Sequence, residues 1–249
     1  MLKTVAFTFL LIVISFSAAA AQLTVAVAAN VQFAMNEIET AFEKESGIDV
    51  NIVLNSSGKL TAQITNGAPY DVFLSADMKY PQSLYDGGRA IHPPQIYANG
   101  RLVLWSKKAA AVSSSWGELI AGAKHIAIAD PLTAPYGKAA VEALEFFDVY
   151  AGAAPKLVFG KSISQVNQYI LSGAADWGLT AKSVVLSAKL DGVGHYIDID
   201  AKAFSPIAQG AVILKYGRDH HPQAAEAFFD FLFSETAGQI FQKYGYTLP

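Results

Sequence analysis

The chain has 249 residues, of which 52% are hydrophobic and 16% charged, with a formal net charge of -3. This is an ordinary globular composition, long enough to bury one large core or two moderate ones. It contains no cysteine, which excludes disulfides, thiolate metal sites, Cys nucleophiles and the lipid anchor of a bacterial lipoprotein; with no basic surplus, neither nucleic acid nor an anionic membrane is an expected partner.

At the N-terminus, Lys3 precedes an almost unbroken apolar stretch from Val5 to Phe16, followed by the small-residue run Ser17-Ala18-Ala19-Ala20-Ala21. The apolar part is short for a bilayer span and runs into an Ala-x-Ala site, the pattern of a secretory signal peptide over residues 1–21, cleaved after Ala20 or Ala21. Its removal deletes Lys3 and no acid, so the net charge moves from -3 to -4. An exported chain with no cysteine to anchor it is expected to move freely in a periplasm.

The mature chain alternates apolar β-rich runs with helical patterns, as parallel βαβ units do. Leu23 to Ala29 reads as a buried strand, and Ala34, Ile38 and Phe42 recur at helical spacing up to a stop at Gly47. A second strand is expected over Asp49 to Leu54, a short helix over Leu60 to Ile64 and a third strand over Asp71 to Leu74. Arg101 to Trp105 follows as a strand after the loop at Pro93-Pro94. The pattern then restarts, with a helix at Trp116 to Ile120, a strand at His125 to Ala129 and a long helix from Gly137 to Tyr150. A helix over Ser164 to Leu171 and a strand over Trp177 to Thr180 come next. Ile207 to Leu214 reads as a strand leading back, and Ala224 to Tyr244 as two amphipathic helices. Two open α/β units joined by crossing strands, with a cleft between them, is the architecture this order implies.

Four short stretches share one design. "AANVQ" (28–32), "NSSGK" (55–59), "APYGK" (134–138) and "KSISQ" (161–165) each stand where a loop enters a helix. A helix N-terminus presents unpaired N–H groups and a partial positive charge, so four of them converging on a cleft would hold an anion. Asn, Ser and Gly at such places also serve as plain caps, so spacing alone decides little. Paired Ser56 and Ser57 are the better signal, because one hydroxyl suffices for a cap. Lys59 and Lys138 fall in first turns, on the wrong side of the helix dipole, and read as solvated surface lysines.

"NSSGKL" is not a nucleotide loop, because Val53 and Leu60 occupy the positions where a Walker motif needs Gly and Ser or Thr. No G-x-S-x-G, H-E-x-x-H or G-x-G-x-x-G occurs, and the five histidines show no metal spacing. His220-His221 read as surface, Asp71 and Asp77 as turn or cap residues, and Trp105, Trp116 and Trp177 as core. The chain is therefore not expected to be an enzyme. A hydrolase using an "SSGK" hydroxyl with Lys59 as base would lack any third group to orient that base.

The runs "AVAANVQFAMNEIETAF", "NSSGKLTAQITNGAPYDVFLSAD", "IAIADPLTAPYGKAAVEAL" and "AAEAFFDFLFSETAGQIFQKYGY" resemble, in order and spacing, the periplasmic molybdate-binding proteins of ABC importers. The resemblance covers nearly the whole mature chain. It implies an α/β type II periplasmic-binding fold, in which two lobes grip a tetrahedral oxyanion in the cleft between them with no metal and no counter-charge. Residues 22–102 and 209–249 would form lobe I, and residues 103–208 lobe II. Carried over position by position, the ligand contacts fall on Asn30 with the backbone around Ala29, on Ser57 through side chain and amide, on Tyr136, and on the Ile163 amide. This chain has Asn30 where many relatives have Ser, and Ala181 where some have a binding tyrosine, whose hydroxyl Tyr136 would replace. The implied function is delivery of molybdate or tungstate to an inner-membrane permease by a monomeric, cofactor-free receptor. A receptor for sulfate, phosphate or another small anion is the alternative.

Overall fold

Residues 22–107 and 115–249 are described in the computed structural model of the chain. The expected signal segment, 1–21, lies outside them. The first half of the chain builds β1 (Leu23–Ala28), α1 (Gln32–Ser46), β2 (Val50–Asn55), α2 (Ser57–Thr65), β3 (Val72–Leu74), α3 (Lys79–Asp86) and β4 (Gln95–Gly100). After a single intervening residue the chain enters β5 (Leu102–Ser106), then α4 (Trp116–Gly122), β6 (Ile126–Ala129), α5 (Pro135–Phe146), α6 (Tyr150–Ala153) and β7 (Leu157–Gly160). There follow α7 (Ile163–Ser172), β8 (Trp177–Ala181), α8 (Lys182–Val185) and β9 (His195–Asp198). The return is β10 (Ile207–Ile213), and α9 (Lys215–His220), α10 (Pro222–Phe231) and α11 (Glu235–Lys243) complete the fold.

These strands form two five-stranded sheets, ordered β2-β1-β3-β10-β4 and β7-β6-β8-β5-β9. β1 runs parallel to β2 and β3, and β6 parallel to β7 and β8, since each pair is joined through a helix. β10 is antiparallel to both β3 and β4, with Ile207 opposite Gly100, so the outgoing and returning segments pass between the sheets side by side. The two sheets and their helices make two lobes.

Alternation along β1 divides the first lobe's core in two, because successive side chains point to opposite faces. Leu23, Val25 and Val27 pack with Phe42 of α1 and Phe228 of α10, whereas Ala26 packs with Leu60 of α2, Phe73 and Val212. A separate apolar cluster fills the second lobe around Leu104, Ile128, Leu144 and Leu179. Trp105 and Trp177 are buried within it, and Trp116 stacks on Phe147 at 4.5 Å, as expected of core residues.

Three differences from the sequence reading have local causes. The helix expected to run to Tyr150 stops at Phe146, because Asp148 takes a left-handed conformation with φ 55° and the chain restarts as α6. β4, β7 and β9 had no expected counterpart. β7 and β9 are four-residue edge strands, β9 mostly exposed and β7 exposed only at Phe159, while β4 reads QIYANG, whose Asn-Gly ending is loop-like. The helix α3 is also additional; its start is held by Asp77, whose carboxylate accepts from Tyr80 N–H at 3.2 Å.

Candidate functional site

The parallel strands of each sheet end on the same side, and ligands of open α/β sheets sit in the crevice outside those carboxyl ends. All four stretches singled out in the sequence stand there. Ala29, Asn30, Ser57, Tyr136 and Ile163 are brought together on the wall of one small cavity, and Ser56 joins them. The first three and Ser56 come from the β1 and β2 ends of the first lobe, and Tyr136 and Ile163 from the second. No acidic or basic side chain lines it among the described residues.

Each contributor is set by its local fold. Ala29, Asn30 and Val31 form a 3-10 turn entering α1, so their N–H groups precede any helical acceptor. Ser57 opens α2; its Oγ accepts from Ala76 N–H at 2.9 Å, which leaves the hydroxyl proton for another acceptor. Pro135 begins α5 with the φ that a first turn requires and places Tyr136 next, 1% exposed. Ile163 is the first residue of α7, so its N–H also lacks an intrahelical partner.

Asn30 departs from a simple side-chain contact. Its Nδ2 donates to Gln209 Oε1 at 2.8 Å and to Tyr246 Oη at 3.2 Å, and its carbonyl accepts from Ser183 Oγ at 2.6 Å. Tyr97 Oη also donates to Gln209 Oε1 at 2.8 Å. Asn30, Tyr97, Ser183, Gln209 and Tyr246 thus form a buried polar cluster behind the cavity that spans both sheets and the returning strand. Asn30 directs both its carboxamide and its carbonyl into this cluster, which leaves its first-turn N–H as the group without an intrahelical acceptor. Sequence reasoning missed Gln209 and Tyr246, since partners 179 and 216 residues away from Asn30 carry no local signal.

Tyr136 Oη reaches the edge of the same cluster. Asn30 and Tyr246 stand near it, but neither in hydrogen-bond geometry, and the hydroxyl is buried without a partner. Burial first, and the neighbouring Tyr246 and Tyr97 hydroxyls second, raise its pKa well above the ordinary tyrosine value. Burial likewise pushes Tyr246 up to about 12. Both therefore remain protonated near neutrality, Tyr136 on the wall of the cavity and Tyr246 in the cluster behind it.

The lobes are closed on each other at the rim. Gly58 N–H donates to Thr133 O at 2.9 Å, Tyr80 Oη to Leu132 O at 3.1 Å, and Ser164 Oγ to Gln32 Oε1 at 3.3 Å. Lys138 is 69% exposed, pairs with Glu142 at 3.5 Å and, like Lys59, does not line the cavity. His220 stacks on Tyr216. His221 and Asp71 depart from the reading as surface and turn residues: Asp71 is fully buried, accepts from Thr24 N–H at 2.7 Å and pairs with His221 Nδ1 at 2.9 Å. That pair ties α10 to the first sheet, remote from the cleft.

Two α/β lobes joined by paired crossings, closed over a small cavity at their strand ends, define a type II periplasmic binding protein. Comparison with known proteins agrees. A model of the family described as "Bacterial extracellular solute-binding protein" matches residues 23–247. The molybdate-binding protein ModA of Rhodobacter capsulatus is 41% identical over 92% of this chain and 89% of its own length, and that of Azotobacter vinelandii 40% over 93% and 92%. The structure of the Azotobacter vinelandii periplasmic molybdate-binding protein superposes with a TM-score of 0.84, covering 91% of this chain and 99% of that one. A sulfate-binding protein of Mycobacterium tuberculosis, at 13% identity and a TM-score of 0.76, shares the fold. The chain belongs to the bacterial extracellular solute-binding proteins, among the molybdate-binding members. Among the described residues no helix is long and apolar enough to cross a membrane.

Proposed function

We propose that this chain is the substrate-binding protein of a molybdate and tungstate ABC importer. The observation that carries the reading is an interlobe cavity that, among the described residues, has no charged residue on its wall, and two of whose hydroxyls, Ser56 Oγ and Tyr136 Oη, are buried with no partner in the protein. A dry, unpaired donor costs about 1–3 kcal/mol, which a buried tetrahedral dianion removes. The main-chain N–H groups of Ala29 and Asn30, the Ser57 hydroxyl and amide, the Tyr136 hydroxyl and the Ile163 amide are its ligands. The lobes divide as residues 22–102 with 209–249 against 103–208, and close by hinge motion once donors from both sides reach the anion. The receptor acts as a periplasmic monomer, exported by a cleaved signal peptide. It hands its cargo to an inner-membrane permease, catalyses no reaction and uses no cofactor.

Sulfate, molybdate and tungstate share shape and charge, so a neutral cavity separates them by size. Donors spaced for the longer metal–oxygen bonds leave a sulfate short of some of them, at about 1–3 kcal/mol for each one unmet. Phosphate keeps a proton near neutrality, and among the described residues no carboxylate lines the cavity to accept it. Calorimetric titration of the anion-free protein should show molybdate and tungstate within about tenfold of each other, and sulfate and phosphate roughly a hundredfold weaker or more. Equal affinity for sulfate and molybdate would make the protein a general anion receptor.

A further inference from the structure

Ser56 occupies the N-cap of α2 and does not cap it. The contrast within this chain is direct. Ser115 at the start of α4 and Ser234 at the start of α11 each accept a hydrogen bond from the N–H three residues on, at 3.3 and 3.2 Å. The Ser56 backbone is extended in the same way, with φ -70° and ψ 151°, yet its side chain makes no such bond. Its own N–H is already committed to Asn55 Oδ1 at 3.0 Å. The hydroxyl remains, on a residue 4% exposed, with no partner in the protein, at the wall of the cavity beside Ser57. Neither capping nor packing explains it, because an alanine would fill the place without a dry hydroxyl.

We propose that Ser56 is a further oxyanion donor of this loop, alongside Ser57, and that it sharpens the choice of metallate over sulfate; the proposal rests on the anion-receptor reading above. Ser57 Oγ is anchored by Ala76 N–H, and the neighbouring Ser56, held at the helix start by its extended backbone, keeps its hydroxyl buried and free to meet a second anion oxygen. An anion with long bonds meets both, whereas a smaller one satisfies Ser57 and leaves Ser56 unmet.

The test is calorimetric titration of the parent, Ser56→Ala and Ser56→Gly with sodium molybdate and with sodium sulfate, alongside thermal unfolding of each without anion. Glycine is nearly as good an N-cap as serine, which separates loss of the hydroxyl from loss of a cap. Both variants should bind molybdate about tenfold or more weakly. Their sulfate affinity should change by less than about threefold, so that the preference narrows, and neither should unfold earlier than the parent. Variants that bind molybdate as the parent does overturn the proposal. So does a defect confined to Ser56→Ala and accompanied by earlier unfolding, which marks a cap. A parent that binds no metallate overturns the receptor reading itself, and Ser56 with it.

Discussion

Ser57 and Tyr136, the side chains we propose as anion donors, are both neutral. Each hydroxyl is held by surroundings that leave its proton without an acceptor: Ser57 by accepting from Ala76 N–H, Tyr136 by burial at 1% exposure. Removing either, as Ser57→Ala or Tyr136→Phe, should cost about 1.5–3 kcal/mol of molybdate affinity by calorimetry, whereas Lys138→Ala should cost almost nothing. A Ser57→Ala variant with parental affinity would shift the loop's role elsewhere. The pH dependence follows from the raised tyrosines. A pKa above the ordinary value of 10 keeps the Tyr136 donor intact below that value and removes it only as pH climbs through the raised one. Affinity should therefore stay level from about pH 6 to 9, and a roughly tenfold drop inside that window would implicate a titrating lysine. At this scale the gathering of these residues on one wall was legible, because they sit in short runs at helix starts. Asn30 was legible by position, whereas the partners of its carboxamide were not, since they lie far away in the chain.

At the scale of elements, the crossing between β4 and β5 matters most. Gly100 ends β4, faces Ile207 of β10 and lies against the polar cluster. A Cβ there would stand 2.2 Å from Tyr136 Oη and 2.8 Å from Gln209 Nε2, closer than either can tolerate. Gly100→Ala must displace the tyrosine or part the lobes. Expected is a loss of molybdate affinity of about tenfold or more, about 1.4 kcal/mol, together with a small-angle scattering profile that stays more open at saturation. Parental affinity with an unchanged profile would show that the crossing yields. β1, β2, α10 and α11 could be read in advance, since their apolar spacing is strong and their burial local. The edge strands β7 and β9 could not: each is four residues long, and with β9 mostly in solvent and β7 only partly covered, little but the pairing itself marks them as strands. The end of α5 turned on a single left-handed residue, Asp148, which no hydrophobic period records.

Across the whole molecule, two lobes and a cleft followed from the alternation of strands and helices, whereas the closed rim depended on contacts between loops distant in sequence. Those contacts enclose a cavity without a charged wall, and this has a consequence for rates. The chain carries a formal charge of -3, and its ligand is an anion, so the two repel at long range and dissolved ions screen that repulsion within about 10 Å at 0.1 M. Inside the closed cavity there is no ion pair for salt to weaken. Stopped-flow fluorescence should then show an association rate for molybdate that rises modestly as sodium chloride increases, and a dissociation rate that does not change. A dissociation rate that climbs with salt would reveal a cation at the ligand. A receptor built this way catches its trace anion no less well in brine than in fresh water, since the ionic strength outside never reaches the bonds that hold it.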